Sequence, residues 1–233
     1  MLNNFKQSPE LFKNIQIVPI EYSQYEIYAI QRLNIKKTNA FNHFGYNYNL
    51  QFDQLVNYFE SLGSNIYEDC IIYSRLICNL INLVSQIKSN TSCWLVIRSS
   101  IPNDDFKIPR FHKDGTYYST KENEIVQKFI LTIKGHGTLI CEPSEQGQQK
   151  FDEVFYNTKN TFSDLEIREK LAHALIDEHI HQLTNNQGCF FTIGSDLKSS
   201  IHSEPNITQP RLFISILPGT FEQIEELRIR WNR

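Results

Sequence analysis

The chain has 233 residues, a length that supports one sizeable hydrophobic core and is rather long for two complete domains. Its 23 basic and 26 acidic residues leave a formal net charge of -3, which gives no electrostatic basis for binding nucleic acid or an anionic membrane. The sequence has no run of eighteen apolar residues and no secretory signal pattern. We therefore expect a cytoplasmic protein without a membrane span, with export by a route lacking a cleavable signal as the alternative.

The five cysteines argue for a reducing compartment as well. They are odd in number, scattered along the chain and without any C-x-x-C spacing. Such cysteines are typical of reduced, buried thiols that pack as small hydrophobic side chains.

The first fifty residues predict irregular structure. Apolar runs at 15–20 and 22–33 are compatible with strands, whereas 39–49, with its four asparagines, predicts a loop.

Two helices are predicted next. Residues 51–63 carry an apolar stripe and Gly63 is placed to end the helix, and residues 67–89 carry apolar side chains at helical intervals. We interpret residues 1–92 as a support region that packs on the core.

From residue 93 onward the pattern changes to short strands separated by turns. The predicted strands are 94–97, the segment around His112, 126–133, 138–141, 189–193 and 212–217. A helical insertion near 145–187 interrupts them, and within it a capping-box pattern at 163–166 predicts the start of a helix that continues towards residue 183. A C-terminal helix is predicted at 221–230. This pattern predicts an α+β protein in which 93–233 form a double-stranded β-helix, or jelly roll.

His112, Asp114 and His202 form the main candidate metal site. His112 and Asp114 are separated by one residue, so on a strand their side chains project from the same face. Two imidazoles and one carboxylate on adjoining strands form the facial triad that holds non-haem Fe(II) and leaves three positions open. Arg211 follows nine residues after His202, on the next predicted strand, within reach of the far carboxylate of a small diacid on the metal.

A second cluster competes with this one. His173, Asp177 and His181 repeat at four-residue spacing and would share one face of a helix, with His179 nearby. The segment lacks a clear zinc-ligand signature, so we interpret these side chains as a solvated helix face.

The ordered set of His112-x-Asp114, His202 and Arg211 resembles the Fe(II)/2-oxoglutarate-dependent dioxygenase superfamily. The segments 129–139 and 201–205 with 211–214 also resemble an uncharacterised bacterial family of that architecture. The resemblance covers roughly residues 93–219 and implies a double-stranded β-helix core. It implies Fe(II), 2-oxoglutarate and O2 as cofactor and co-substrates, with release of succinate and CO2.

The resemblance also implies roles for single residues. Arg211 would bind the far carboxylate of 2-oxoglutarate, since a guanidinium matches a buried carboxylate with two hydrogen bonds. Many members carry a serine two residues after this arginine, where this chain has Phe213. The second hydroxyl would then come from Thr138, ranked first, or from Thr132 or Tyr117. Asp114, in place of the Gly or Ala of halogenases, favours hydroxylation, demethylation or desaturation.

The substrate is open to either a small molecule or a protein side chain. Arg98 and Tyr118 are candidates for contacting it. One alternative is a cupin-like domain that binds a metal or small acid without catalysis, and another is a metal-dependent isomerase or hydrolase. Arg211 distinguishes the oxygenase from the isomerase or hydrolase, because an oxygenase needs an anchor for the diacid and a hydrolase does not.

Overall fold

A computed structural model describes most of the chain. The described ranges are 14–45, 48–63, 66–89, 92–104, 107–120, 125–158, 165–194 and 199–231, with only the backbone described at 48–50.

Ten strands and six helices lie within these ranges. The strands are β1 (Ile15–Pro19), β2 (Asn39–Phe44), β3 (Ser92–Ser100), β4 (His112–Lys113), β5 (Val126–Lys134), β6 (Leu139–Cys141), β7 (Ile180–Gln182), β8 (Gln187–Ile193), β9 (Ile201–Ser203) and β10 (Arg211–Gly219). The helices are α1 (Gln24–Arg32), α2 (Tyr48–Ser61), α3 (Tyr67–Lys88), α4 (Glu145–Asn157), α5 (Leu165–Ala174) and α6 (Phe221–Trp231).

The strands form two antiparallel sheets. The larger sheet has the order β1-β8-β5-β10-β3-β2 and the smaller one the order β4-β9-β6-β7. From β3 to β10 the chain passes back and forth between the sheets, so that β3, β5, β8 and β10 lie in the larger sheet and β4, β6, β7 and β9 in the smaller. This eight-stranded, two-sheet winding is a jelly roll. The predicted α+β class and double-stranded β-helix are confirmed.

Strand β3 is buried on both faces, which explains its nearly continuous apolar sequence. Leu95 and Ile97 belong to a core cluster shared with α2 and α3, which cover the outer face of the larger sheet. Trp94 and Val96 belong to a second cluster between the sheets, in the space that we call the lumen. Burying each such Leu or Ile contributes on the order of 1.5–3 kcal/mol to folding.

Two segments of the support region differ from the prediction. Residues 24–32 are helical rather than extended, because Ser23 caps α1 through a complete capping box with Glu26. Residues 39–44 are a strand rather than a loop, because β2 pairs in register with the edge of β3. The remaining elements of this region agree with the prediction: β1 is a strand, and α2 and α3 occupy the predicted segments, with Gly63 adopting a φ of 105° beyond α2.

The insertion also differs in part. It is helical in α4 and α5, but α5 ends at Ala174, and residues 180–182 form β7 instead of continuing the helix. Pairing of β7 with β6 explains the change, because it completes the smaller sheet. The predicted capping box begins at residues 163–164, outside the described residues. The helices cover the outer face of the smaller sheet through a third cluster that includes Phe151, Leu171 and Ile201.

Helix α3 is long and apolar enough, by length and composition alone, to pass as a membrane span. Half of its most apolar window is buried inside the protein, and it packs against α2 and the larger sheet. Core helices meet the same criterion, so this is weak evidence for a membrane location.

Candidate metal centre

Two neighbouring strands bring the predicted triad together. β4 and β9 pair antiparallel with His112 directly opposite His202, and the two imidazole centroids are 4.3 Å apart. Asp114 follows on the same face of its segment, with Oδ1 3.9 Å from Nε2 of His112 and Oδ2 3.7 Å from Nε2 of His202. One ligand atom from each residue lies within 4.8 Å of the others. Among the described residues this is the group of three or more such side chains that meets a metal-site geometry.

Backbone carbonyls orient both imidazoles. Nδ1 of His112 lies 2.7 Å from the carbonyl oxygen of Arg110, and Nδ1 of His202 lies 3.3 Å from that of Ser200. A carbonyl oxygen only accepts, so each Nδ1 carries the hydrogen and donates it. Each Nε2 is then left with its lone pair directed toward Asp114, which is the arrangement that ligating histidines require.

Electrostatics keep the set in the protonation states of metal ligands. Burial alone would raise the pKa of Asp114, but the positive charge of Lys128, whose Nζ lies 2.8 Å from Oδ2, and the two neighbouring imidazoles hold it well below its usual value. Burial, reinforced by the nearby His112, lowers the pKa of His202 to about 3. At neutral pH the site therefore offers a carboxylate and a neutral imidazole.

The donor set fits a divalent transition metal. A metal about 2.1 Å from each ligand would place adjacent ligand atoms about 3 Å apart. The two distances from Asp114, 3.9 Å and 3.7 Å, would then need to contract by less than 1 Å, and the widest separation, within 4.8 Å, by less than about 2 Å. Two imidazole nitrogens and one carboxylate oxygen are donors that divalent transition metals accept.

Arg211 begins β10 and is 5% exposed. Its Nε donates to the carbonyl oxygen of His136 at 2.8 Å, and Nη2 donates to Oγ1 of Thr138 at 3.0 Å and of Thr132 at 3.2 Å. Burial lowers its pKa to about 10, so it is still a cation at neutral pH. Across the described ranges no carboxylate lies within ion-pair distance of it, and the charge of Glu204, which is paired with Arg110, acts on it only from farther away. A buried cation that is only partly compensated is costly unless an anion joins it.

Thr138 and Thr132, two of the candidates for the second hydroxyl, both contact the Arg211 guanidinium, and Thr138 makes the shorter contact. Phe213, in the position of the expected serine, instead puts its ring 4.9 Å beneath the Arg211 guanidinium.

Tyr117, the third candidate for the second hydroxyl, lies beside the metal-binding triad. It is hydrogen-bonded to Asp114, and burial together with this carboxylate raises its pKa. A role for Tyr117 in holding 2-oxoglutarate stays a prediction, with its observed contact on the metal side.

The two candidate substrate residues, Arg98 and Tyr118, lie in different environments. Arg98 lies on β3 and is exposed, whereas Tyr118 is 3% exposed and donates its hydroxyl to the carbonyl oxygen of Pro218 at 2.8 Å. Tyr118 packs among the apolar side chains of the lumen, and the structure does not bring it to the triad.

Two features of the site were missed in the sequence. Lys128 interrupts the apolar strand β5, and a lysine in such a strand is the signal that could have indicated a buried partner. Arg110 and Glu204 form an ion pair of 3.1 Å beside the two histidines, at the next same-face position of the β4–β9 register.

The competing cluster is not assembled. His173 lies in the last turn of α5, Asp177 in the turn that follows, and His181 in β7, so the three do not share a helix face.

No family model matches the chain, and no curated protein does. Solved structures are similar at low identity. A dioxygenase for auxin oxidation from rice is 8% identical, covering 83% of this chain and 67% of its own, with a TM-score of 0.39. A Pseudomonas putida prolyl-4-hydroxylase is 9% identical over 89% and 92%, with a TM-score of 0.38. EvdO2 from Micromonospora carbonacea var. aurantiaca, solved with 2-oxoglutarate, is 11% identical over 89% and 87%, with a TM-score of 0.42. The strand order of the two sheets shows that this chain has a double-stranded β-helix fold. The chain carries a His-Asp-His cluster at the smaller sheet.

Proposed function

We propose that this chain is a non-haem Fe(II)- and 2-oxoglutarate-dependent oxygenase that hydroxylates a small molecule or a protein side chain. One observation carries the proposal: the buried cation of Arg211 has no anionic partner in the described ranges and lies beside an open His-Asp-His cluster. The cluster can bind a metal and the Arg211 cation can bind a carboxylate. A short 2-oxo diacid would chelate the metal at one end and pair with Arg211 at the other.

The spacing supports this occupant. Thr138, which contacts Arg211, lies two residues before Ile140, and Ile140 is the register partner of His202. Two residues along a strand span roughly 7 Å. A five-carbon diacid that chelates a metal at one end has a comparable reach to its far carboxylate.

The residues of the site then have separate roles in binding the metal and 2-oxoglutarate. His112 and His202 donate Nε2 lone pairs and Asp114 one carboxylate oxygen, while the ion pair with Lys128 holds Asp114 anionic and in place. Arg211, with Thr138 and Thr132, binds and orients the far carboxylate of 2-oxoglutarate. When bound, Fe(II) with 2-oxoglutarate and O2 supplies an oxidant for C–H bonds as 2-oxoglutarate is converted to succinate and CO2. The apolar side chains of the lumen limit access of water.

A matched pair of aspartate variants tests the proposal. Asp114 and Asp152 each form a short ion pair with a lysine, at 2.8 Å and 2.6 Å, but only Asp114 belongs to the triad. We expect succinate to form from 2-oxoglutarate, Fe(II) and O2 with the wild type and with Asp152→Asn, and not with Asp114→Asn.

The other outcomes distinguish the alternatives. A protein that binds Fe(II) at full occupancy but has no measurable affinity for 2-oxoglutarate would contradict the proposal and favour a cupin-like binding domain. Hydrolysis or isomerisation supported by Zn(II) or Mn(II), independent of Arg211, would favour the remaining alternative.

A further inference from the structure

Arg98 is an interior-facing cation of the larger sheet that the proposed chemistry does not use. Along β3 the side chains of Trp94 and Val96 point into the lumen, and Arg98 continues this row at the same two-residue spacing. Its register partners are Phe213 on β10 and Ala40 on β2. The small Ala40 side chain leaves room beside the guanidinium.

The charge of Arg98 acts on both ends of the site. Burial and Asp114 raise the pKa of Tyr117, and the positive charge of Arg98 opposes that rise. Burial lowers the pKa of Arg211, and Arg98 adds to that lowering. Arg98 therefore lies within electrostatic range of both Tyr117, beside the triad, and Arg211.

No described residue neutralises Arg98. It is an exposed residue in a strand that is otherwise buried, and in the ranges that the structure describes it forms neither a hydrogen bond nor an ion pair. The other charges near the triad are compensated, since Lys128 pairs with Asp114 and Arg110 with Glu204. A divalent metal and doubly charged 2-oxoglutarate cancel each other. The loaded site would thus stay positive, with Arg98 as the accessible cation.

An aromatic cluster lies on the same face of β3 as Arg98 and is centred on Trp94, four residues before it. The ring of Trp94 lies 5.4 Å from that of Tyr117, 5.7 Å from Phe44 and 5.9 Å from Trp231. Trp231 is 57% exposed and Phe44 and Tyr117 are partly exposed. This aromatic cluster offers an apolar surface that a substrate can cover.

We propose that the primary substrate is a small organic acid with an apolar body, whose carboxylate binds Arg98 and whose apolar part packs on the aromatic cluster. This inference rests on the proposed oxygenase function for the identity of the reaction. The recognition itself requires only Arg98 and the aromatic cluster. A guanidinium and a carboxylate form two charge-assisted hydrogen bonds, and the neutral amide of the same acid forms weaker ones.

Tryptophan fluorescence reports directly on this surface, because the two tryptophans of the chain are both in the aromatic cluster. The probes are ω-phenylalkanoates from phenylacetate to 5-phenylpentanoate, each with its primary amide, titrated with and without Mn(II) and 2-oxoglutarate. The variants are Arg98→Gln, Arg98→Lys and, as a control on the exposed side of α3, Arg75→Gln.

We expect at least one acid to bind saturably and its amide to bind at least about tenfold more weakly. Arg98→Gln should weaken the acid about tenfold or more, Arg98→Lys should restore part of the affinity, and Arg75→Gln should change nothing. In Arg98→Gln the affinity for the amide should fall less than the affinity for the acid, and 2-oxoglutarate should still bind.

Three results would overturn the inference: no acid in the series binds, acid and amide bind equally, or Arg98→Gln leaves the affinity for the acid unchanged. Failure of the proposed function looks different. Metal and 2-oxoglutarate would then fail to bind, while Arg98-dependent binding of the acid persisted in their absence.

Discussion

Replacing Lys128 with methionine isolates the contribution of its ion pair with Asp114. Methionine is similar in length to lysine and apolar, so the change mainly removes the charge. Asp114 is 8% exposed, the Lys128 side chain is 12% exposed, and their atoms are 2.8 Å apart. Removing one partner of a buried pair leaves the other uncompensated and costs about 3–5 kcal/mol. We take the lower end, about 3 kcal/mol, because both side chains keep some exposure to solvent.

Thermal unfolding of metal-free protein measures this cost. For a chain of this length each kcal/mol corresponds to a fall in Tm of roughly 2–4 °C, so Lys128→Met should unfold about 6–12 °C below the wild type at pH 7. Lys170→Met is the control, because the Lys170–Glu166 pair is exposed and such pairs contribute less than about 1 kcal/mol. Asp114→Asn combined with Lys128→Met should recover part of the loss, since no charge is then left unpaired.

The pH dependence has a definite sign. The pKa of Asp114 is held below its ordinary value of 3.8, so this stabilisation is fully present above about pH 4 and is lost as the pH falls further. The Tm difference between wild type and Lys128→Met should therefore be constant near neutrality and shrink below pH 4. A difference of less than 2 °C at pH 7, or one that grows in acid, would show that the Lys128–Asp114 pair does not stabilise the fold in this way.

Three further predictions follow from single contacts. Thr138→Val removes an acceptor for the Arg211 guanidinium, and calorimetry should show about fivefold to tenfold weaker binding of 2-oxoglutarate with unchanged affinity for the metal; unchanged affinity for 2-oxoglutarate would contradict the predicted role. Gly137→Ala should lower stability by about 1–3 kcal/mol in denaturant titrations, because its Cβ would lie 1.8 Å from the carbonyl oxygen of Leu183, whereas Gly115→Ala meets no atom within 4 Å and should be close to neutral. The five cysteines are buried, and burial raises the pKa of four of them, so iodoacetamide at pH 8 should label the protein only after denaturation; rapid labelling of the native protein would count against this packing.

The sequence predicted the triad because one local rule and one fold-level rule agree. His112 and Asp114 share a face wherever the backbone is extended, and that pairing needs no tertiary information. The register that sets His202 opposite His112 depends on how β4 and β9 meet in the smaller sheet. The sequence alone does not contain that register, and only the resemblance supplied the expectation.

Lys128 escaped prediction because β5 packs on both faces. In a strand with one solvent-exposed face, the alternation of apolar and polar residues shows which side chains point inward. In β5 apolar residues occupy both faces, so this alternation is lost. A lysine there can be assigned to the lumen only once its cross-strand neighbour Phe191 is known.

The errors outside the site have local and tertiary causes. Ser23 and Glu26 form a capping box that was present in the sequence and outweighs the extended propensity of the residues after it. β2 and β7 are strands because an existing strand edge offers them hydrogen bonds, which overrides their own weak preference.

Anaerobic titration of the wild type with Fe(II) and then 2-oxoglutarate tests the central claim most directly. We expect one Fe(II) per chain and the visible charge-transfer absorption of a ferrous 2-oxoglutarate chelate. The absorption should weaken in Arg211→Ala, with Fe(II) affinity retained, and disappear in His202→Ala. Full occupancy by Fe(II) without that absorption would contradict the oxygenase assignment, and failure to bind Fe(II) would contradict the metal centre itself.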